Sequence, residues 1–144
     1  MEADLALDRQ LCFALYAASR VAQSAYREAL DELGLTYPQW LVLLALWEVD
    51  GQSVTDLGDR LMLDSGTLSP LLRRMEERGV VERRRAASDG RRVTVHLTQA
   101  GRELRARAPG VQECLGRRVS LSSEEITTLR DLARRLVRAA PSPT

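Results

Sequence analysis

Apolar residues recur at spacings of three and four from Leu11 through Leu15, Ala18, Ala22, Tyr26, Ala29 and Leu33. This predicts a long first helix with one apolar stripe, stopped by Gly34. The next segment, WLVLLALWEV, is apolar on nearly every side, so its helix belongs at the centre of the core, with Pro38 in its first turn and Asp50-Gly51 at its end. Trp40 and Trp47, seven residues apart on it, are core residues or the rim of a pocket. Ser53, followed three residues later by Asp56, resembles a capping box and opens a short helix from about Val54 to Leu61. Asp64 or Ser65 caps a second helix, which runs through LSPLLRRMEER to Gly79.

After Gly79 the period changes from helix to strand. VVERRR and VTVHLT are β-propensive, and AASDGR between them carries the Asp-Gly signal of a hairpin loop. Two short helices joined by a tight turn and followed by a hairpin make a winged helix-turn-helix, so the expected fold is mainly α with a small β-hairpin wing. Thr98 can cap a further helix, QAGRELRARA, which Pro109-Gly110 should kink or interrupt. Ser122 and Glu125 form another capping box ahead of a last helix with apolar positions at Ile126, Leu129, Leu132, Ala133, Leu136 and Val137. PSPT, residues 141–144, reads as a disordered tail, and no internal repeat is evident.

In a winged helix the second helix of the pair enters the major groove of DNA with its N-terminal residues on base edges. That places Asp64, Ser65, Gly66, Thr67, Ser69 and Pro70 at the groove, with Arg73 and Arg74 further along for phosphates or guanine. The wing, RRRAASDGRR, would follow the backbone to the adjacent minor groove, where Arg91 is the residue for insertion and Arg84 lies among the flanking basic positions. Asp89, two residues before Arg91, can hold its guanidinium in place. The plainer reading is that Arg83, Arg84, Arg85 and Arg92 form a solvated hairpin edge that resists aggregation.

Charge supports the first reading only when divided along the chain. Net charge is +1, but residues 1–64 hold 4 Arg against 11 acids, residues 65–92 hold 8 against 4, and residues 93–144 hold 9 against 5. A basic face turned toward a polyanion produces such asymmetry, although charge blocks also occur as mere solvated surface. All 21 basic residues are arginine, which suggests a GC-rich coding bias and lowers the weight of any single one. The length of 144 residues suits one domain. No apolar run reaches spanning length and the MEADLALD start is acidic, so neither a membrane span nor a signal peptide is expected, and the expected location is cytoplasmic. His96 is the only histidine, and with two separated cysteines it lacks metal-ligand spacing, so no metal or cofactor is expected.

LTYPQWLVLLALWE, LDSGTLSPLLRRMEERGVVERRR and SDGRRVTVHLTQAG strongly resemble the MarR family of winged-helix regulators, the last carrying the wing signature D-x-R followed by L-T. The resemblance spans about Leu7 to Val137 and is closest to the organic-hydroperoxide sensors of the OhrR branch. It implies a homodimer on pseudo-palindromic double-stranded operator DNA, with residues 5–34 and 99–140 as dimerisation helices and residues 36–98 as the winged helix-turn-helix. It further implies a repressor released when an organic hydroperoxide oxidises Cys12, with Tyr16, Tyr26 and Tyr37 around the thiol. In the two-cysteine type, Cys114 of the other subunit would capture the oxidised Cys12 as a disulfide; otherwise a small cellular thiol does so and Cys114 is packing.

Geometry constrains that picture. If the first helix is continuous, Cys12 and Tyr26 lie about 21 Å apart along its axis at 1.5 Å per residue. Their contact then requires a partner chain, which should also supply Tyr37, whereas Tyr16, one turn after Cys12, can act locally. Tyrosine hydroxyls matter because the thiolate is the reactive form of cysteine. Two other functions compete with this one. A MarR-type regulator could be released by a bound small aromatic ligand, with Cys12 structural. A thiol peroxidase with Cys12 as the reacting residue would be an enzyme, but the alternating strands and helices of thioredoxin-like folds are missing, so no enzyme is expected.

Overall fold

The computed structural model describes residues 3–88 and 90–140. Helix α1 (Leu11–Leu33) is one unbroken helix of 23 residues, stopped by Gly34 in the left-handed region at φ +67°, where the missing Cβ removes the steric penalty. Helix α2 (Tyr37–Glu48) starts at a full capping box between Thr36 and Gln39 with Pro38 in its first turn. It ends two residues before Asp50, where the Gln52 side chain donates to the carbonyls of Ala45 and Val49. Trp40, Val42, Leu43 and Leu46 are buried at the centre of the core, as the all-round apolar pattern requires.

Strand β1 (Gln52–Ser53) precedes helix α3 (Val54–Leu61) and helix α4 (Ser65–Glu77). Ser53 caps α3 by accepting from the Asp56 amide, and Asp64 caps α4 by accepting from the Thr67 amide at 2.8 Å. The turn between these helices passes through Met62 in the left-handed region at φ +57°. Strands β2 (Val81–Arg85) and β3 (Val93–Leu97) pair antiparallel from Val81 opposite Leu97 to Arg85 opposite Val93. The sheet has three strands in the order β1-β3-β2, because Gln52 pairs with Val95 and Ser53 with Thr94. A two-residue strand has no periodicity to reveal it, so the wing acquires a third strand that sequence pattern does not predict.

The region after the wing is an interrupted helix, as Pro109 leads one to expect. Helix α5 (Gln99–Glu103) is short, residues Leu104–Arg107 tighten into a 3-10 turn, and helix α6 (Ala108–Arg118) follows. The interruption expected from Pro109 thus falls in the turn just before it, around the Arg105 carbonyl four residues back, which the proline cannot bond and its ring crowds. Pro109 sits in the first turn of α6, where its missing N–H costs nothing. Helix α7 (Ser123–Ala139) begins at the Ser122–Glu125 capping box, and none of its residues is fully buried.

The wing and α5 are locked by close approach. Thr98 caps α5 and also bonds the Val80 carbonyl through its amide, while Trp47 Nε1 donates to the Gly101 carbonyl at 3.0 Å. A Cβ on Gly101 would lie 2.1 Å from the Val80 carbonyl oxygen. Since that neighbour is backbone, Gly101→Ala should destabilise the fold by about 1–3 kcal/mol and lower the thermal midpoint followed by circular dichroism. An unchanged midpoint would show that this approach is not tight in solution.

Candidate nucleic-acid interface and thiol site

Helix α4 buries Leu68, Leu71, Leu72 and Met75 and turns the opposite face outward. Ser65, Gly66, Thr67 and Ser69 at its front are exposed, Pro70 is half-buried, and Arg73 and Arg74 are exposed a turn further on. Asp64 is also exposed, but its Oδ1 is committed to the cap, so its first role is to start the helix. Arg74 folds its Nε back onto the Pro70 carbonyl at 3.3 Å. The exposed front therefore presents small side chains and hydroxyls, which let a helix approach a groove floor closely.

The wing is tied to this helix by charge. Arg83 donates its amide to Glu76 Oε2 at 2.8 Å, and its guanidinium bonds Glu76 Oε1 at 3.2 Å. Arg84 is paired with Glu82 on the same strand, Arg85 donates to the Gly90 carbonyl, and Arg92 lies 3.6 Å from Asp56 of α3. Arg91 is exposed at the wing, while Asp89, expected to hold it, lies outside the described residues. The Asp56–Arg92 and Glu76–Arg83 pairs escape sequence reading because the first joins positions 36 residues apart and neither follows a fixed period. At the other end of α4, Arg78 Nη2 donates to the Leu33 carbonyl at 2.8 Å, joining it to the end of α1.

The sensing candidates separate into two groups along α1. Cys12 is exposed at the second residue of the helix. Tyr16, one turn on, is also exposed, and its hydroxyl accepts from Arg20 at 3.0 Å, with the Arg20 guanidinium over its ring. At the far end Tyr26 stacks on Tyr37, ring centroids 5.6 Å apart, and both are half-buried. Cys114 of α6, which packs along α1, is also half-buried, and its Sγ donates weakly to the Gly110 carbonyl. It lines a cleft of about 310 Å³ with Glu28, Glu32, Arg107 and Arg117.

Burial raises the Tyr26 phenol above its ordinary value, with smaller contributions from Tyr37 and from Cys114, and burial alone raises Tyr37. Both hydroxyls thus stay protonated as donors through the physiological range. The structure brings Tyr26, Tyr37 and Cys114 together in one protomer and leaves Cys12 with Tyr16 at the other end of the rod. Among the described residues no group of three or more His, Cys, Asp or Glu could hold a metal, and no helix is long and apolar enough to cross a membrane.

The family model described as the transcriptional regulator SarA/Rot matches residues 24–107. The HTH-type transcriptional regulator TtmR of Methylorubrum extorquens (strain PA1) is 47% identical over 125 residues, covering 87% of this chain and 64% of TtmR. The organic hydroperoxide resistance transcriptional regulator of Bacillus subtilis (strain 168) is 48% identical over 102 residues, 71% of this chain and 69% of its own. The chain belongs to the MarR family of winged-helix transcriptional regulators. Among solved structures, reduced AbfR bound to DNA is 35% identical with a TM-score of 0.75, covering 93% of this chain and 94% of that one. A related structure is of overoxidized AbfR bound to DNA, with the same identity and TM-score.

In this MarR-family chain the Glu76–Arg83 junction joins the helix and wing expected to meet DNA. The Arg83 amide bond, outweighing desolvation and helped by the guanidinium, lowers the Glu76 carboxyl below its ordinary value. A depressed carboxyl stabilises the fold above its unfolded value, and the contribution is lost as pH falls through the folded value. Glu76→Gln should therefore lower the thermal midpoint at neutral pH and converge on the wild type in strong acid. A constant difference across that range would remove Glu76 ionisation from the junction.

Proposed function

We propose that this regulator is a homodimeric repressor that senses organic hydroperoxides through Cys12 and releases operator DNA when oxidised. The observation that carries the proposal is the division of the candidate residues: a stacked, proton-bearing tyrosine pair beside Cys114 at one end of α1, and an exposed thiol at the other. Two antiparallel copies of α1 bring Cys12 of one protomer to Tyr26, Tyr37 and Cys114 of the other. The surfaces for such pairing are exposed: Leu11 and Leu15 of α1 line an open groove of about 760 Å³ with Leu129, Leu132 and Leu136 of α7. The likeness to the Bacillus regulator supports the nature of the signal.

In this reading two copies of α4 lie in successive major grooves of a pseudo-palindrome, with Ser65, Gly66, Thr67 and Ser69 at base edges and Arg91 reaching the minor groove. The Cys12 thiolate attacks one peroxide oxygen, the O–O bond breaks, and an alcohol leaves once the alkoxide takes a proton. The resulting sulfenic acid is attacked by the thiolate of Cys114 from the other protomer, forming the disulfide and releasing hydroxide, which is protonated to water. Tyr26 and Tyr37 donate hydrogen bonds to the Cys12 thiolate and hold it in the attacking position.

Two outcomes check this chemistry. Treatment with cumene hydroperoxide should convert the wild type to a covalent dimer on a non-reducing gel, and neither Cys12→Ser nor Cys114→Ser should form it; a covalent dimer in Cys114→Ser would overturn the role of Cys114. Tyr26→Phe removes a charge-assisted hydrogen bond and should slow formation of the Cys12 sulfenic acid about ten-fold or more. Equal rates in a sulfenate-trapping assay would remove Tyr26 from the sensor.

A further inference from the structure

Between the front of α3, the exposed side of α4 and the wing lies a cleft of about 580 Å³, lined by Thr55, Asp56, Ser69, Arg83, Arg91 and Arg92 among others. Among the described lining residues three guanidinium groups stand against one carboxylate, with the hydroxyls of Ser53, Thr55 and Ser69 beside them, which is the chemistry of an anion site. The commitments within it are unequal. Arg83 is fixed to Glu76 through its backbone amide as well as its guanidinium. Arg92 is paired with Asp56 at 3.6 Å, with the two side chains 59% and 60% exposed. An exposed, long ion pair is weak because water screens it and two mobile side chains must be ordered to make it. Its consequence is positional: it holds the Arg92 guanidinium at the cleft mouth.

We propose that this cleft seats a backbone phosphate of DNA and that Asp56 competes internally for Arg92, yielding it when the phosphate arrives. The proposal rests on the DNA-binding reading given above. A phosphate presents oxygens to a guanidinium at bidentate spacing, and neutralising it releases counterions from the duplex, a gain that the exchange with Asp56 does not cancel. Thr55 and Ser69 stand at the same cleft as hydroxyl donors to the seated oxygen. Asp56, left facing the phosphate, weakens binding, so it sets the affinity of the wing below the maximum the arginines could give.

The test is fluorescence anisotropy of the full dimer on a labelled duplex of arbitrary sequence, since a phosphate contact is independent of base sequence, titrated with salt from about 50 to 200 mM. Arg92→Ala should weaken binding and reduce the slope of log K against log salt by about 0.9 for each cleft. Asp56→Asn should tighten binding several-fold in the wild-type background and leave it nearly unchanged in the Arg92→Ala background. A slope unaffected by Arg92→Ala overturns the phosphate seat. Equal tightening by Asp56→Asn in both backgrounds overturns the competition, because removal of a negative charge near DNA then explains it. Failure of the wild type to bind any duplex overturns the DNA-binding reading and the seat together, whereas the variant results overturn the seat alone. Circular dichroism on each variant verifies folding, and both substitutions are at exposed positions.

Discussion

Helix α1 is longer than the core that covers it, and this constraint governs the rest of the molecule. Ala25, Leu30 and Leu33 in its C-terminal half are buried, whereas Leu11, Phe13, Tyr16 and Val21 in its N-terminal half are exposed. Each leucine side chain taken fully out of water contributes about 1.5–3 kcal/mol, so the proposed dimer would cover this bare half-helix together with the exposed Leu129, Leu132 and Leu136. The same length carries Cys12 about 21 Å along the axis from Tyr26, beyond the reach of any side chain in one protomer. The proposed association and the proposed sensing both rest on this one continuous helix.

The reading end is joined to that helix by a shared core that includes Leu30 and Leu33, and by specific polar contacts. Arg78 at the end of α4 donates to the Leu33 carbonyl at the end of α1, and Glu76, two residues before it, holds Arg83 of the wing. A shift of the C-terminal end of α1 must therefore carry α4 with it or break the Arg78 bond. Behind them α2 forms a packed centre, with Trp40 and Trp47 edge to face at 5.4 Å and the Trp47 indole bonded to α5. The helix-turn-helix, the wing and α5 are thus packed and bonded to one another and to the C-terminal end of α1.

Much of this organisation is legible from local chemistry. Gly34, Ser53, Asp64, Thr98 and Ser122 mark helix ends because each satisfies backbone groups within three residues of itself, and the all-round apolar run over α2 can only be buried. What escapes prediction is either too short or too distant. Strand β1 has two residues and is paired with β3, so no local pattern reveals it. The apolar stripe of α1 is correctly placed by periodicity, but periodicity does not say that only half is covered within the protomer. Separation of Cys12 from Tyr26 follows from helix rise alone, whereas the meeting of Tyr26, Tyr37 and Cys114 in one chain, and of Asp56 with Arg92, depends on packing between distant elements.

The central claim is that oxidation of Cys12 switches the DNA-bound dimer to a released one. It is tested most directly by the anisotropy of the protein on labelled duplex from upstream of its own gene, before and after one equivalent of cumene hydroperoxide, for the wild type and Cys12→Ser. Release of the wild type with retention of Cys12→Ser is the expected result. Retention of both would contradict the account, as would equal release of both, because the signal would then act somewhere other than this thiol.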